Sequence, residues 1–124
     1  MKYSDQQRIK KIYEFATTLQ TYIREKQIAK ENLLSELSLQ WLVTTPLYNI
    51  GEQSYQLSRA FKESHGEIEW NLMAGLRHRL VHDYDGTNWN IIADVVFEEL
   101  PVLISQLEKL VCKEIPAQED EADA

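Results

Sequence analysis

A single cysteine, Cys112, stands in a chain of 124 residues. It leaves no intrachain disulfide and no zinc site built on paired thiolates. Glycine and proline are scarce too, at four and three residues, which argues against a many-turned all-β fold. No apolar run approaches the roughly 20 residues of a membrane span, and Met1 to Gln7 lack the apolar core of a secretion signal. The expected setting is a reducing cytoplasm, away from membranes. Positive charge is also in deficit, with 13 Lys and Arg against 20 Asp and Glu for a net charge of −7. Taken over the whole chain, that balance excludes a protein that coats nucleic acid or anionic lipid.

The acidity is unevenly placed. Glu114, Glu119, Asp120, Glu121 and Asp123 fall in residues 114–124, which carry no base. Without them the body holds fifteen acids against thirteen bases and is nearly neutral. Residues 1–113 therefore read as one helical domain, and residues 114–124 as an acidic, solvated and frayed tail.

Apolar residues, 44% of the chain, recur at helical spacing. Ile9, Ile12, Ala16, Leu19 and Ile23 form one stripe of a helix expected from Ser4, its N-cap, to Gln27. Leu33, Leu34, Leu37, Trp41, Leu42, Leu47, Ile50 and Leu57 mark a second helix from Glu31 to Phe61, with a break between Ser35 and Ser38. Pro46 is expected to kink or divide it, and Gly51 to admit the close approach of a neighbouring helix. Residues 62–67 read as a polar loop. A third helix follows from Ile68 to His82, then an Asp85-Gly86 turn, then a fourth from Trp89 to Lys113 capped by Thr87 or Asn88 and bent at Pro101. There is no internal repeat and no convincing strand. The expected fold class is all-α, an antiparallel bundle of four to five helices. Trp41, Trp70 and Trp89 are expected in core or interface packing, and His65 on the surface.

Side chains capable of chemistry concentrate in Leu76-Arg77-His78-Arg79-Leu80-Val81-His82-Asp83-Tyr84, which holds two of the three histidines and two of the five arginines. On a helical wheel Met73, Leu76 and Leu80 cluster within about 60° and define the core face. His78 and His82 fall on the opposite side, one turn apart, and Arg77 at the edge between the faces. Three uses fit. The face can be a solvated helix end whose cations complement the dipole. His78-x3-His82 can be a metal pair, although Arg79 stands where a metalloprotease helix carries its general base, and adjacent guanidinium groups repel a cation. Or the segment can cut RNA by attack of its own 2′-OH, with an imidazole as acid or base and a guanidinium on the phosphate. Glu52 can pair with Arg77 or Arg79, or stay solvated.

At these residues the chain resembles a family. Arg77-x4-His82-x-Tyr84 is similar to the R-x4-H-x-Y signature of HepT-like proteins of the HEPN superfamily. Ile50-Gly51-Glu52 resembles their I-G-E-A segment, with Gln53 in place of Ala. Trp70 ahead of Leu76 to His82 resembles the W…M-R-N-R-x-x-H stretch, and Glu99-Leu100-Pro101-x-Leu103 the D-L-P-x-L segment. The resemblance implies an HEPN-like homodimer with the motifs facing a shared cleft. It implies an endoribonuclease toxin that needs no metal or other cofactor, part of a type II-like toxin–antitoxin pair. Arg77 and His82 would be catalytic, and His78, Arg79 and Glu52 would orient groups or bind RNA. Tyr84 would be the residue modified with AMP by a minimal nucleotidyltransferase (MNT) antitoxin. The alternative is a non-catalytic HEPN scaffold that binds a nucleotidyltransferase or a nucleotide.

Overall fold

A computed structural model describes residues 3–82 and 87–114; for residues 81, 82 and 112–114 it describes the backbone path alone. The described residues are helical, without a strand: α1 (Asp5–Glu25), α2 (Lys30–Ser35), α3 (Leu37–Gln56), α4 (Arg59–Ser64), α5 (Trp70–His82), α6 (Trp89–Asp94), a π-helical turn (Val95–Glu99) and α7 (Leu100–Glu114). The expected turn at Asp83–Gly86 and the end of the acidic tail lie outside the described residues.

Helix α1 starts on a capping box. Ser4 Oγ accepts from Gln7 N at 3.1 Å, and Gln7 Oε1 accepts from Ser4 N at 2.8 Å. Ile9, Ile12, Ala16 and Leu19 are buried along one face, as their spacing predicts. The helix ends at Glu25 rather than at Gln27, because Gln27 takes a left-handed φ of 54°. Gln27 N then donates to Arg24 O at 3.1 Å and Ile28 N to Ile23 O at 3.0 Å, which closes a Schellman motif with glutamine where glycine is usual.

The single second helix of the sequence reading is three helices. Its first break falls inside the expected window, at the extended residue Glu36. The second was not expected. Helix α3 stops at Gln56, and Ser58 caps α4, its Oγ accepting from Phe61 N at 3.2 Å. Asp5 on α1 accepts from Ser58 N at 2.9 Å and from Ser58 Oγ at 2.6 Å. The apolar spacing of Leu57 and Phe61 hides this cap in the sequence, and Lys62 to Ser64, expected in a loop, are the last turn of α4. Pro46 does not divide α3, which continues through it.

Helix α3 packs between α1 and α5, and α1 also packs on α7. Hydrogen bonds from Arg8 to Gln53 and from Tyr13 to Glu108 tie α1 to both neighbours. At the other end Lys30 bonds Asp94 and lies 3.5 Å from Glu98. The Asp94 hydrogen bond, followed by the charges of both acids, holds the Lys30 ammonium above its ordinary pKa.

Asn88 caps α6, its Oδ1 accepting from Asn90 N and Ile91 N. The chain then runs through Val95–Glu99 into α7 without leaving the helix, and Leu100 N donates to Val95 O five residues back. Pro101 has no N–H, and its ring would meet the carbonyl of Phe97 in a regular α-helix. The wider π turn just before it gives that carbonyl room. Val95, Val96, Leu100, Leu103 and Leu107 all remain buried.

Part of the second stripe faces outward, Leu34 among it at 37% exposed. Leu37 and Trp41 are 57% and 67% exposed, so they belong to an outer face of α3 rather than to the core of this chain. Trp70 is buried and Trp89 packs against the core. His65 stacks on Phe61 with centroids 4.5 Å apart and is not purely superficial.

Helices α3 and α5 approach closely at Gly51. A Cβ built there would sit 2.7 Å from Arg77 N and 3.0 Å from Met73 O. Both are backbone atoms of α5 and cannot move aside alone. Gly51→Ala gains about 1 kcal/mol of helix propensity but forces α3 and α5 apart. Urea unfolding is expected to show a net loss of about 1–3 kcal/mol.

Candidate functional site

The close approach at Gly51 fixes where Arg77 can go. The backbone of Arg77 lies against Gly51, so its side chain lies over the residues next along α3. Glu52 Oε1 is 2.6 Å from Arg77 Nε. Of the two pairings open to Glu52 in the sequence, the structure has the one with Arg77. Oε1 is shielded from solvent and accepts no aligned hydrogen bond among the described residues, so its compensation is the charge of the guanidinium. The other oxygen accepts from Gln56 Nε2 at 3.2 Å, one turn further on. The carboxylate is therefore held from two sides.

Tyr55 completes the setting of Arg77. The guanidinium carbon lies 5.0 Å from the centroid of its ring, within cation–π range. Sequence reasoning missed this residue. Glu52 and Tyr55 are one turn apart on α3 and share a face, a spacing visible in the sequence once Glu52 is known to meet Arg77. Among the described residues the two terminal amino groups of Arg77 have no partner, and the side chain is 37% exposed. An edge of two N–H groups, with the rest of the guanidinium restrained, is suited to grip two oxygens of one phosphate.

His78 and Arg79 are exposed, on the side of α5 away from Met73, Leu76 and Leu80, which are buried. This is the division the helical wheel predicts. Thr87 Oγ1 donates to Arg79 O at 3.3 Å, which brings the start of the last helical stretch back to α5. His82 is the last residue of α5; its side chain and Tyr84 lie outside the described residues. Among the described residues no three His, Cys, Asp or Glu side chains gather as a metal site requires. None of their helices is long and apolar enough to cross a membrane.

One further concavity, of about 560 Å³, lies between α4 and the start of α5. Arg59 and Lys62 line it together with Glu63 and Glu69, so it offers no net charge to a phosphate, and Arg77 is not part of it.

The family described as ribonuclease HepT-like matches residues 6–110. Among curated proteins, one named Probable ribonuclease HepT, from Thermococcus cleftensis, is 34% identical over 110 residues, 89% of this chain and 98% of its own length. A protein named as a candidate RNase in Caldanaerobacter subterraneus subsp. tengcongensis is 33% identical over 91 residues, 73% of this chain and 81% of its own. Another so named, from Methanocaldococcus jannaschii, is 31% identical over 90 residues, 73% and 74% of the two chains. No solved structure matches significantly.

The ion pair at this site is partly exposed on both sides, so solvent screens it. A double-mutant cycle of Glu52→Gln and Arg77→Gln, read by urea unfolding, is expected to give a coupling of about 0.5–1 kcal/mol. Strict additivity would mean that the pair orders Arg77 without stabilising the fold.

Proposed function

The chain belongs to the ribonuclease HepT-like family, and we propose that it is a metal-independent endoribonuclease acting as the toxin of a toxin–antitoxin pair. The observation that carries this reading is the preset guanidinium of Arg77, pinned at Nε by Glu52 with its terminal amino groups unpartnered among the described residues.

In the proposed reaction the 2′-oxygen of a ribose attacks the adjacent phosphorus and the 5′-oxygen of the next nucleotide departs. The products are a 2′,3′-cyclic phosphodiester and a 5′-hydroxyl end. Charge accumulates on the phosphoryl oxygens as phosphorus becomes pentacoordinate, and Arg77 neutralises it through two parallel hydrogen bonds. His82 supplies an imidazole, a group able to act as acid or base, which can take the 2′ proton or supply the proton to the leaving oxygen. His78 and Arg79, on the exposed side of α5, bind or orient the RNA strand, and Glu52 orients Arg77.

The working unit in this reading is a homodimer. Its support is the outer face of α3. From Leu37 to Gly51 the helix has no charged residue, and Leu37 and Trp41 along it are strongly exposed. Such a face is suited to a second copy, which brings a second Arg77 and His82 to the same cleft. The proposed antitoxin is an MNT-type nucleotidyltransferase that places AMP on Tyr84, two residues from His82. The added phosphate would repel RNA by charge and block it by bulk.

Purified protein is expected to cleave RNA in EDTA, leaving cyclic phosphate ends, and His82→Ala or Arg77→Ala to lower the rate at least about 100-fold. Full activity in either variant, or dependence on an added divalent cation, would refute the proposed chemistry. Expression alone should arrest growth, and co-expression of a neighbouring nucleotidyltransferase should relieve it; a non-catalytic scaffold gives no arrest. Sedimentation equilibrium should return twice the 14.5 kDa chain mass, and Trp41→Glu should shift it toward the single mass.

A further inference from the structure

We propose that Tyr55 is a positioning residue for Arg77, acting through the face of its ring rather than its hydroxyl. This rests on the reading of Arg77 as the phosphate clamp, and it adds a residue that lies outside the R-x4-H-x-Y signature.

A guanidinium can be held at its Nε edge, on its two flat faces and at the edge that carries the terminal amino groups. Glu52 holds the Nε edge at 2.6 Å. That contact alone leaves the plane free to turn about the Nε···Oε1 line. The Tyr55 ring, with its centroid 5.0 Å from the guanidinium carbon, bears on the group from a second direction and restrains that rotation. Both restraints come from one helix, three residues apart, and so move as one body with α3. The amino edge is left for a phosphate.

Other uses of Tyr55 are weaker on this geometry. Its side chain does not fill the core: the residue is 55% exposed, while Ser54 and Leu57 beside it are buried. Its hydroxyl has no hydrogen-bond partner among the described residues. A ring that is neither core nor a hydroxyl donor, set against a cation whose Nε is already held by a carboxylate, acts on that cation. Restraining a long side chain before substrate arrives removes an ordering cost that would otherwise fall on the reacting complex. The effect should appear in kcat more than in KM, because the phosphate gains charge only as the reaction proceeds.

The test compares Tyr55→Phe, which keeps the ring, with Tyr55→Leu and Tyr55→Gln, which remove it and retain good helix formers. Two quantities are read in each: steady-state cleavage of a fluorogenic RNA oligonucleotide, and the Nε–Hε cross-peak of Arg77 in ¹⁵N-labelled protein without RNA, assigned by its loss in Arg77→Lys. The Phe variant should keep kcat within about twofold of wild type and leave the cross-peak in place. The Leu and Gln variants should lower kcat about three- to tenfold, with KM changed less, and move the cross-peak as the ring current is lost. An exposed position should keep the thermal midpoint of all three close to wild type. Wild-type cleavage with unaltered kcat and an unmoved cross-peak in both ring-less variants would overturn the proposal. If the wild type itself cleaves no RNA, the proposed function fails, and the cross-peak alone decides: a shift in Leu and Gln but not in Phe supports the packing, and no shift overturns it.

Discussion

The contact between Gly51 and the backbone of Arg77 is the constraint on which the rest of the structure depends. Helices with ordinary side chains between them lie about 8–10 Å apart, and Gly51 permits an approach in which even one methyl group would strike backbone. With the Arg77 backbone seated there, its side chain has little choice but to run over the adjacent turn of α3. Glu52 and Tyr55 occupy that turn. The ion pair is therefore set by apolar packing of Ile50, Met73 and Leu76, all buried, and needs no strength of its own to be accurate. This is why a half-exposed pair, of the kind that adds little to stability, can still define the direction of a guanidinium.

Under the proposed function, the same arrangement reconciles an acidic chain with a polyanionic substrate. Binding that depends on many phosphates needs many cations and weakens steeply with salt. A chain at −7 overall, near neutral over its helical body, has no such reserve. A single ordered arginine does not require one. It needs a fixed direction, which the α3–α5 junction supplies. The uncharged outer face of α3 adjoins that junction, so contact with a second copy would reduce solvent access.

Much of this was legible in the sequence, for local reasons. The Ser4 cap, the break before Leu37, the Asn88 cap and the partition of α5 into a core face and a histidine face all follow from side-chain chemistry within one or two turns. Gly51 was legible as a close approach because nothing else explains glycine in the middle of an apolar helix. What was missed depends on residues far apart in the chain. Helix α4 begins at Ser58 because Asp5, 53 positions earlier, binds the same serine. Tyr55 matters only because α5 delivers Arg77 to it. Leu37 and Trp41 have the periodicity of core residues, and periodicity does not say which of two apolar faces the rest of the chain will cover. Glu52 lies between these cases: its two possible partners were visible, and only packing could choose between them.

The π turn at Val95–Glu99 carries a consequence for how this sequence can change. It stores one more residue than an α-helix of the same rise would hold, and the slack lies where Pro101 needs it. The extra residue and the proline are thus a single unit of variation. Losing the residue alone would drive the proline ring into the preceding turn. Losing the proline alone would leave a widened turn with nothing to accommodate, free to tighten and rotate Val95 and Val96 away from the positions that Leu100 and Leu103 now match. Changed together, the two could revert to an ordinary helix. The π turn and the proline after it are thus expected to change together rather than singly.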